Sequence, residues 1–332
     1  MPASGTLSTS EPQTFARISG ASGPLRPGVS VQMAVFNAMP YLVDAVESIL
    51  YQSYQDFEFI IVDDGSTDDS LAYLQSVDDA RIKIIPQSNR GTAAAGNVGL
   101  AHCTRQYLAR MDADDWSDPS RLERLADALD ANPDVSMVGS SFAYFGDRTA
   151  GRPVPMPQDH DSIYRALLRG DHGMVHGASM MRTDCMRAVG GYWEHRFFED
   201  WDLFLRMAEV GKLMNVPDSL YLYRAHDTSL SSRRLEEMRL HYDYAIDQAK
   251  RRREGIPTCD LAEFQSQRKN RPVTKAIGER LDNIALANYR RAMGEIYGHR
   301  PLRGRMRLLS ASLWNPRRTL NRIGRRFQSR ID

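Results

Sequence analysis

Short apolar runs alternate with amphipathic stretches over roughly the first 145 residues. Val29 to Phe36 (VSVQMAVF) predicts a strand and Asn37-Ala38-Met39-Pro40 a turn. From Tyr41 to Tyr51, the residues Tyr41, Leu42, Ala45, Val46, Ile49 and Leu50 share one face at helical spacing. Phe57 to Val62 (FEFIIV) predicts a second strand, entering Asp63-Asp64-Gly65-Ser66-Thr67-Asp68. Gly65 permits a tight turn there, and Ser66 or Thr67 can cap a helix from Asp68 to Val77. Arg81 to Ile85 predicts a third strand, and Gln87-Ser88-Asn89-Arg90-Gly91 leads into a small-residue helix, Thr92 to His102. Tyr107 to Met111 predicts a fourth strand. Beyond Trp116-Ser117-Asp118-Pro119 a helix runs from Pro119, which suits a first turn because its missing N–H is not needed there, to Ala131. Val135 to Val138 continues towards Phe145 as a further strand.

Strand, loop and helix thus recur four times, which predicts an α/β, doubly wound, mostly parallel sheet flanked by helices. Its acidic loops all follow strands. They therefore share one edge, where open α/β sheets bind ligands.

After a Pro/Gly-rich linker, Gly146 to Gln158, the pattern becomes less regular. Ser162 to Leu168 predicts a short helix, Val175 to Met181 a strand or ligand-lining loop, and Thr183 to Val189 a helix broken by Gly190-Gly191-Tyr192. Phe198-Glu199-Asp200-Trp201-Asp202 opens an amphipathic helix, and Leu213 to Val216 and Leu220 to Tyr223 read as short strands. Beyond Ser232, long charged helices, Leu235 to Glu254 and Thr274 to Tyr297, lead into an arginine-rich tail. The organisation expected is a disordered segment 1–27, an α/β domain 28–232 and a helical extension 233–332.

Composition narrows the class. The 332 residues are 42% hydrophobic and 26% charged, as in a soluble globular protein. No apolar run approaches the roughly 18 residues that span a bilayer. The polar N-terminus lacks the features of a secretory signal. Cys103, Cys185 and Cys259 match no zinc or redox spacing, which suits free thiols in a reducing cytoplasm. The net charge of +1 hides an asymmetry: His299 to Asp332 carries ten arginines and one acid, leaving the body near −8. Such a tail predicts contact with an anionic surface, the inner face of the membrane or the acidic body itself. It has no nucleic-acid-binding motif, so no nucleic acid partner is expected. Leu302, Met306, Leu309, Leu313 and Trp314 fall at amphipathic spacing among the arginines. Oligomeric state is not readable.

Candidate chemistry sits in the loops. Asp112, Asp114 and Asp115 end the fourth strand. Three carboxylates in four residues repel one another, which a divalent cation with oxygen ligands relieves and a solvated acidic loop also tolerates. Asp63-Asp64 ends the second strand, able to accept from a base N–H or ribose hydroxyl, or to form an ordinary turn. Asn89-Arg90-Gly91 at a helix start suits phosphate, though tight helix packing explains the small residues as well. Glu199-Asp200 either compensates a helix dipole or supplies a general base. His226 and His176 are candidate ligands or packing residues.

These pieces resemble, in order, glycosyltransferase family 2, whose members have the GT-A fold, a Rossmann-like sheet binding nucleotide-diphospho-sugars. The matching stretches are Val31 to Leu42, Ser48 to Gln52, Asp56 to Asp68, Arg90 to Asn97, Asp112 to Asp115, Gly190 to Tyr192, Glu199 to Arg206 and Tyr223 to His226. The resemblance implies an inverting sugar transfer from a nucleotide-sugar, a UDP-sugar foremost, to a carbohydrate or lipid-linked acceptor in surface polysaccharide synthesis. It implies Mg²⁺ or Mn²⁺ on Asp114 and His226, and Asp200 as catalytic base. Donor contacts would come from Ala34, Phe36, Asn37, Asp64, Arg90, Gly91, Asn97, Asp112 and Ala113. Asp115, His176, Gly177, Glu199 and Trp201 are candidates for sugar or acceptor contacts. Two departures stand out: Gly96 occupies a position where the family often has arginine, and Phe36 replaces a more frequent tyrosine. Two rival functions remain. A sugar-phosphate nucleotidyltransferase would want a basic Gly-rich loop where Asn37-Ala38-Met39-Pro40 stands. A non-catalytic nucleotide-sugar-binding scaffold would not need the intact acids.

Overall fold

The computed structural model describes residues 27–145, 150–194, 199–224, 235–269, 272–297 and 301–314. The expected disorder of the N-terminal segment and the end of the arginine-rich tail therefore lie outside the described residues, as does His226.

Four strands build the parallel half of a nine-stranded sheet: β1 (Val29–Val35), β2 (Phe57–Asp63), β3 (Ile82–Pro86) and β4 (Tyr107–Asp112). They run side by side as β3-β2-β1-β4, all parallel. β1, β2 and β4 are buried on both faces because helices cover both, and polar residues among them such as Ser30, Gln32 and Arg110 are buried too. These helices are α1 (Leu42–Leu50), α2 (Ser70–Ser76), α3 (Thr92–His102) and α4 (Arg121–Ala131). Met33, Phe59, Ile61 and Met111 pack with Leu42, Ile49 and Leu122 in the main core, all fully buried.

The other half is mixed rather than parallel. The strands β6 (Val135–Phe145), β8 (Met180–Arg182) and β9 (Lys212–Arg224) complete the order β4-β8-β6-β9, ending at β5 (Trp116–Ser117). β8 is antiparallel to both β4 and β6, β5 is antiparallel to β9, and β6 and β9 are parallel. Three expectations are corrected here. The stretch from Gly146 to Gln158 contains β7 (Ala150–Val154), antiparallel to β6. The two short strands expected within 213–223 are the single strand β9, whose register shifts beside Ser140 and Ser141. Helix α4 starts after Pro119, because Trp116 and Ser117 pair with β9 and the Asp118 carboxylate accepts from Ser120 N (2.9 Å), closing a turn first.

Helices α5 (His160–Arg169), α6 (Thr183–Ala188) and α7 (Glu199–Val210) follow. The extension comprises α8 (Leu235–Glu254), α9 (Leu261–Lys269), α10 (Val273–Tyr297) and α11 (Pro301–Trp314). α9 escaped the sequence reading because it is short, has only Leu261 and Phe264 as large apolar residues, and fully buries neither. α8 is continuous with the domain core: Tyr242, Ala245, Ile246 and Ala249 share a cluster with Trp201, Phe204 and Leu205. Among the described residues, no helix is long and apolar enough to cross a membrane.

Candidate active site

The C-terminal ends of β2, β1 and β4 place Asp63, Asn37 and Asp112 along one rim. The register sets Asp63 opposite Val35 and Asp112 opposite Ala34. Asn37 adopts φ +49°, tolerable for an asparagine, and its Oδ1 accepts from Thr67 N (2.7 Å). It thereby ties the β1 loop to the β2 loop. Phe36 beside it is 50% exposed, a free ring at the rim.

Asp64 has a structural duty that the sequence did not disclose. It is buried, and its carboxylate accepts from Gln87 Nε2 (2.6 Å), Arg90 N (2.9 Å) and Gly91 N (2.8 Å). It thus holds the loop before α3. Its neighbour Asp63 is equally buried, and its Oδ1 has no hydrogen-bond partner. Arg90 is largely exposed and lies 3.7 Å from Glu194. Gly91 has φ +91° with open space where a Cβ would stand.

On the β4 turn the three carboxylates have different fates. Asp112 sits 3.3 Å from Arg110 Nη2. Burial and the Asp114 charge nevertheless push its carboxyl above the usual range, outweighing Arg110. Asp115 is buried, accepts from Arg224 N (2.7 Å), and is driven well up by burial and by its two acidic neighbours. Asp115, a candidate for a sugar contact, is 1% exposed and holds the turn through Arg224. Asp114 is partly exposed, and its backbone oxygen accepts from Arg224 Nε (2.8 Å).

Two arginines that sequence reading passed over position this turn. Arg224, at the end of β9, also bonds Asp44 Oδ2 (2.7 Å) and lies between the rings of Tyr41 and Phe145 (4.6 and 4.3 Å to the centroids). It joins α1, β6 and the Asp114 turn. Arg121, fully buried on the inner face of α4, donates to Arg110 O (3.1 Å) and Gly177 O (3.0 Å). Its burial pulls the guanidinium down to about 10. A charge on the apolar face of α4 was the available signal. Replacing Arg224 with Met removes the clamp on the Asp114 carbonyl. We expect a stability loss of about 3 kcal/mol and a raised half-saturating Mn²⁺ concentration, only partly repaired by Arg224→Lys. Thermal melts and metal titrations of activity check this.

Gly177 touches the site directly: a Cβ there would stand 2.8 Å from Asp112 Oδ2 and overlap the Tyr221 hydroxyl. His176 donates or accepts at Tyr192 Oη (2.9 Å), and burial holds it well below its ordinary pKa, hence neutral. Asn97 uses both ends of its amide on the Tyr192 backbone (2.8 Å each), so it anchors that segment. Gly96 is pressed on the Tyr192 ring, 2.6 Å from where a Cβ would be. Tyr192 thus fills the space that an arginine at Gly96 would enter. Gly96→Arg should therefore lower stability by about 3 kcal/mol through overpacking without improving turnover; a melting curve and an initial rate decide.

The helix α7 opens with Glu199 and Asp200. Glu199 is within electrostatic range of Arg110 and Asp112. Burial and the neighbouring Asp200 push Glu199 up to about 7. A proton on Glu199 removes a like charge from beside Asp200, whose Oδ1 accepts from Trp201 N (2.7 Å). Trp201, a candidate for an acceptor contact, packs in the core: it is 4% exposed and its indole donates to Leu167 O (3.2 Å). Ala34 and Ala113 are partly buried at the rim and offer backbone and little else.

Among the described residues, no group of three His, Cys, Asp or Glu side chains would by itself hold a metal ion. The donor set still fits a hard cation of the kind that takes one or two carboxylates and completes its shell with substrate phosphates and water. Asp112 and Asp114 would supply those oxygens, and their mutual repulsion would be relieved by it.

The profile of "Glycosyl transferase family 2" matches residues 30–190. An uncharacterized glycosyltransferase of Haemophilus influenzae is 32% identical over 62% of this chain and 68% of its own length. The amylovoran biosynthesis glycosyltransferase AmsE of Erwinia amylovora is 29% identical over 58% and 74%. Among solved structures, S. aureus TarS in complex with UDP-GlcNAc superposes with a TM-score of 0.59, at 16% identity, covering 90% of this chain and 89% of that one. The mannosyltransferase PcManGT of Pyrobaculum calidifontis, in complex with GDP-Man and Mn²⁺, gives 0.54 at 17% identity, over 91% and 85%. Fold, ordered motifs and relatives agree: the chain is a glycosyltransferase of family 2 with a GT-A fold.

Proposed function

We propose that the protein transfers a sugar from a nucleoside diphosphate sugar, a UDP-sugar foremost, to an acceptor hydroxyl with inversion at the anomeric carbon. The observation that supports this reading is the convergence of the β1, β2 and β4 ends, with Asn37, Asp64, Asp112 and Asp114, on one rim of the sheet.

In this reading Phe36 offers a stacking face to the base, and Asp63 and Asp64 offer acceptors to its N–H. Asp64 already braces its loop through Gln87, Arg90 and Gly91, which leaves its orientation fixed for that contact. Asp112 lies towards the ribose and sugar, kept in place by Arg110 and by the lack of a side chain at Gly177. Mg²⁺ or Mn²⁺ would be held by Asp114, with Asp112 beside it and His226 as a further ligand, and would act as a Lewis acid on the leaving diphosphate. Asp200 takes the acceptor hydroxyl proton, and one base without a second positioned nucleophile implies a single displacement.

The acceptor side is assigned to the segment 172–193 and the helices of the extension, where Tyr192, Trp193 and, on α8, Tyr244 border a cavity of about 300 Å³. A role in surface polysaccharide synthesis is supported by the likeness to AmsE, and cytoplasmic action follows from that role. A panel of UDP-, GDP- and dTDP-sugars with Mn²⁺, scored by nucleoside diphosphate release and by the anomeric configuration of the product, tests the assignment. Release confined to UDP-sugars and an inverted product are expected. Pyrophosphate formation from a sugar phosphate and a nucleoside triphosphate would overturn it.

A further inference from the structure

We propose that the outer face of α11 docks on an anionic lipid surface. The helix has two opposed faces. Its inner face packs on α10: Ala311 is fully buried in a cluster with Tyr289 and Ala292, and Gly304 lies so close that a Cβ would stand 2.7 Å from Ala292 O. Arg307 is drawn to this side by Glu295 (3.0 Å). On the opposite side Leu302, Met306 and Leu309 are 74, 71 and 70% exposed. Their spacing of four and three residues puts them on one stripe. An apolar stripe on a helix whose packing face is already occupied marks a contact surface.

The flanking charge selects the occupant. The helix carries Arg303, Arg305 and Arg307 and no acid. Arg303 pairs with Glu295 at 3.4 Å yet keeps 58% of its side chain exposed, and Arg305 is exposed beside the stripe. Apolar side chains between exposed arginines match a bilayer with anionic headgroups: the stripe enters the acyl boundary and the guanidinium groups stay at the phosphates. A second copy of this chain meeting the stripe about a two-fold axis would set arginines against arginines.

The consequence is positional. Tyr144 of β6 packs against the α10–α11 cluster and makes an edge contact with Tyr223 (5.6 Å). Arg224 follows Tyr223, and it clamps the Asp114 turn. A docked α11 therefore brings the catalytic rim near the lipid surface, where a lipid-linked acceptor would be presented. Docking itself does not depend on the transferase assignment, because vesicle binding is read without substrate.

Full-length protein is sedimented with vesicles of phosphatidylglycerol and phosphatidylcholine, and with phosphatidylcholine alone, at low and high salt. Binding to the anionic vesicles at low salt is expected, weakened by salt. A L302S/M306S/L309S variant should bind at least about tenfold less well, through loss of buried apolar area. It should melt like wild type, since these side chains are exposed. Arg303→Glu with Arg305→Glu should weaken binding to the anionic vesicles alone. Absence of wild-type binding, or unchanged binding by the triple variant, would overturn the proposal. So would a concentration-dependent dimer that the triple variant abolishes while vesicle binding persists.

Discussion

Asp200→Asn is expected to lower kcat by about 10²- to 10⁴-fold, the range for removing a positioned general base. The substitution is gentle structurally. The Asp200 Oδ1 that accepts from Trp201 N (2.7 Å) has an equivalent carbonyl oxygen in asparagine, so the first turn of α7 keeps its bond. Donor KM should change little, because the lost function is proton removal from the acceptor. The protonated state of Glu199 matters here. Its carboxyl, pushed up to about 7, is half protonated at pH 7 and mostly neutral only below that, where Asp200 works beside an acid rather than a second anion. Initial rates over a pH series in wild type and Asp200→Asn check the assignment. A variant retaining more than about a third of wild-type turnover would remove Asp200 from the chemistry, since a general base contributes at least about 10²-fold.

Asp114→Asn should have an effect of similar size and a second signature. Loss of the carboxylate beside the leaving diphosphate forfeits several kcal/mol of charge stabilisation, or about 10³-fold in kcat/KM. The bond from Arg224 should survive, because it uses the backbone oxygen of Asp114, which asparagine keeps. Stability should rise by about 1 kcal/mol. Asp114 is one of the charges that push the Asp112 and Asp115 carboxyls up, and the amide removes it. Falling activity with a rising melting temperature is the expected pair. A fall in both would make Asp114 a structural residue.

Much of this was readable before any coordinates. The parallel half of the sheet follows from apolar runs such as FEFIIV, buried on both faces, each followed by an amphipathic helix. The edge carrying Asp64, Asp112 and Asn37 follows from their places after strands. The mixed half was less legible for a physical reason. β8 has three residues and β5 two, too short for periodicity to register, and β7 hides in a stretch whose Pro and Gly suggest a linker. The role of Asp64 as a loop brace, the inward turn of Asp115 and the core position of Trp201 each depend on long-range partners: Gly91, Arg224 and Leu167. Local sequence carries no record of such pairings. The reason for glycine at position 96 became visible only when the Tyr192 ring was found against it.

The account rests on Asp112 and Asp114 forming an incomplete cation site that a diphosphate completes. Mn²⁺ affinity, followed by water proton relaxation with and without each of UDP, GDP and dTDP, tests this most directly. The account predicts weak Mn²⁺ binding alone, strengthened at least about tenfold by one nucleoside diphosphate and abolished by Asp114→Asn. Mn²⁺ binding that no nucleoside diphosphate alters, or that survives Asp114→Asn unchanged, would contradict it.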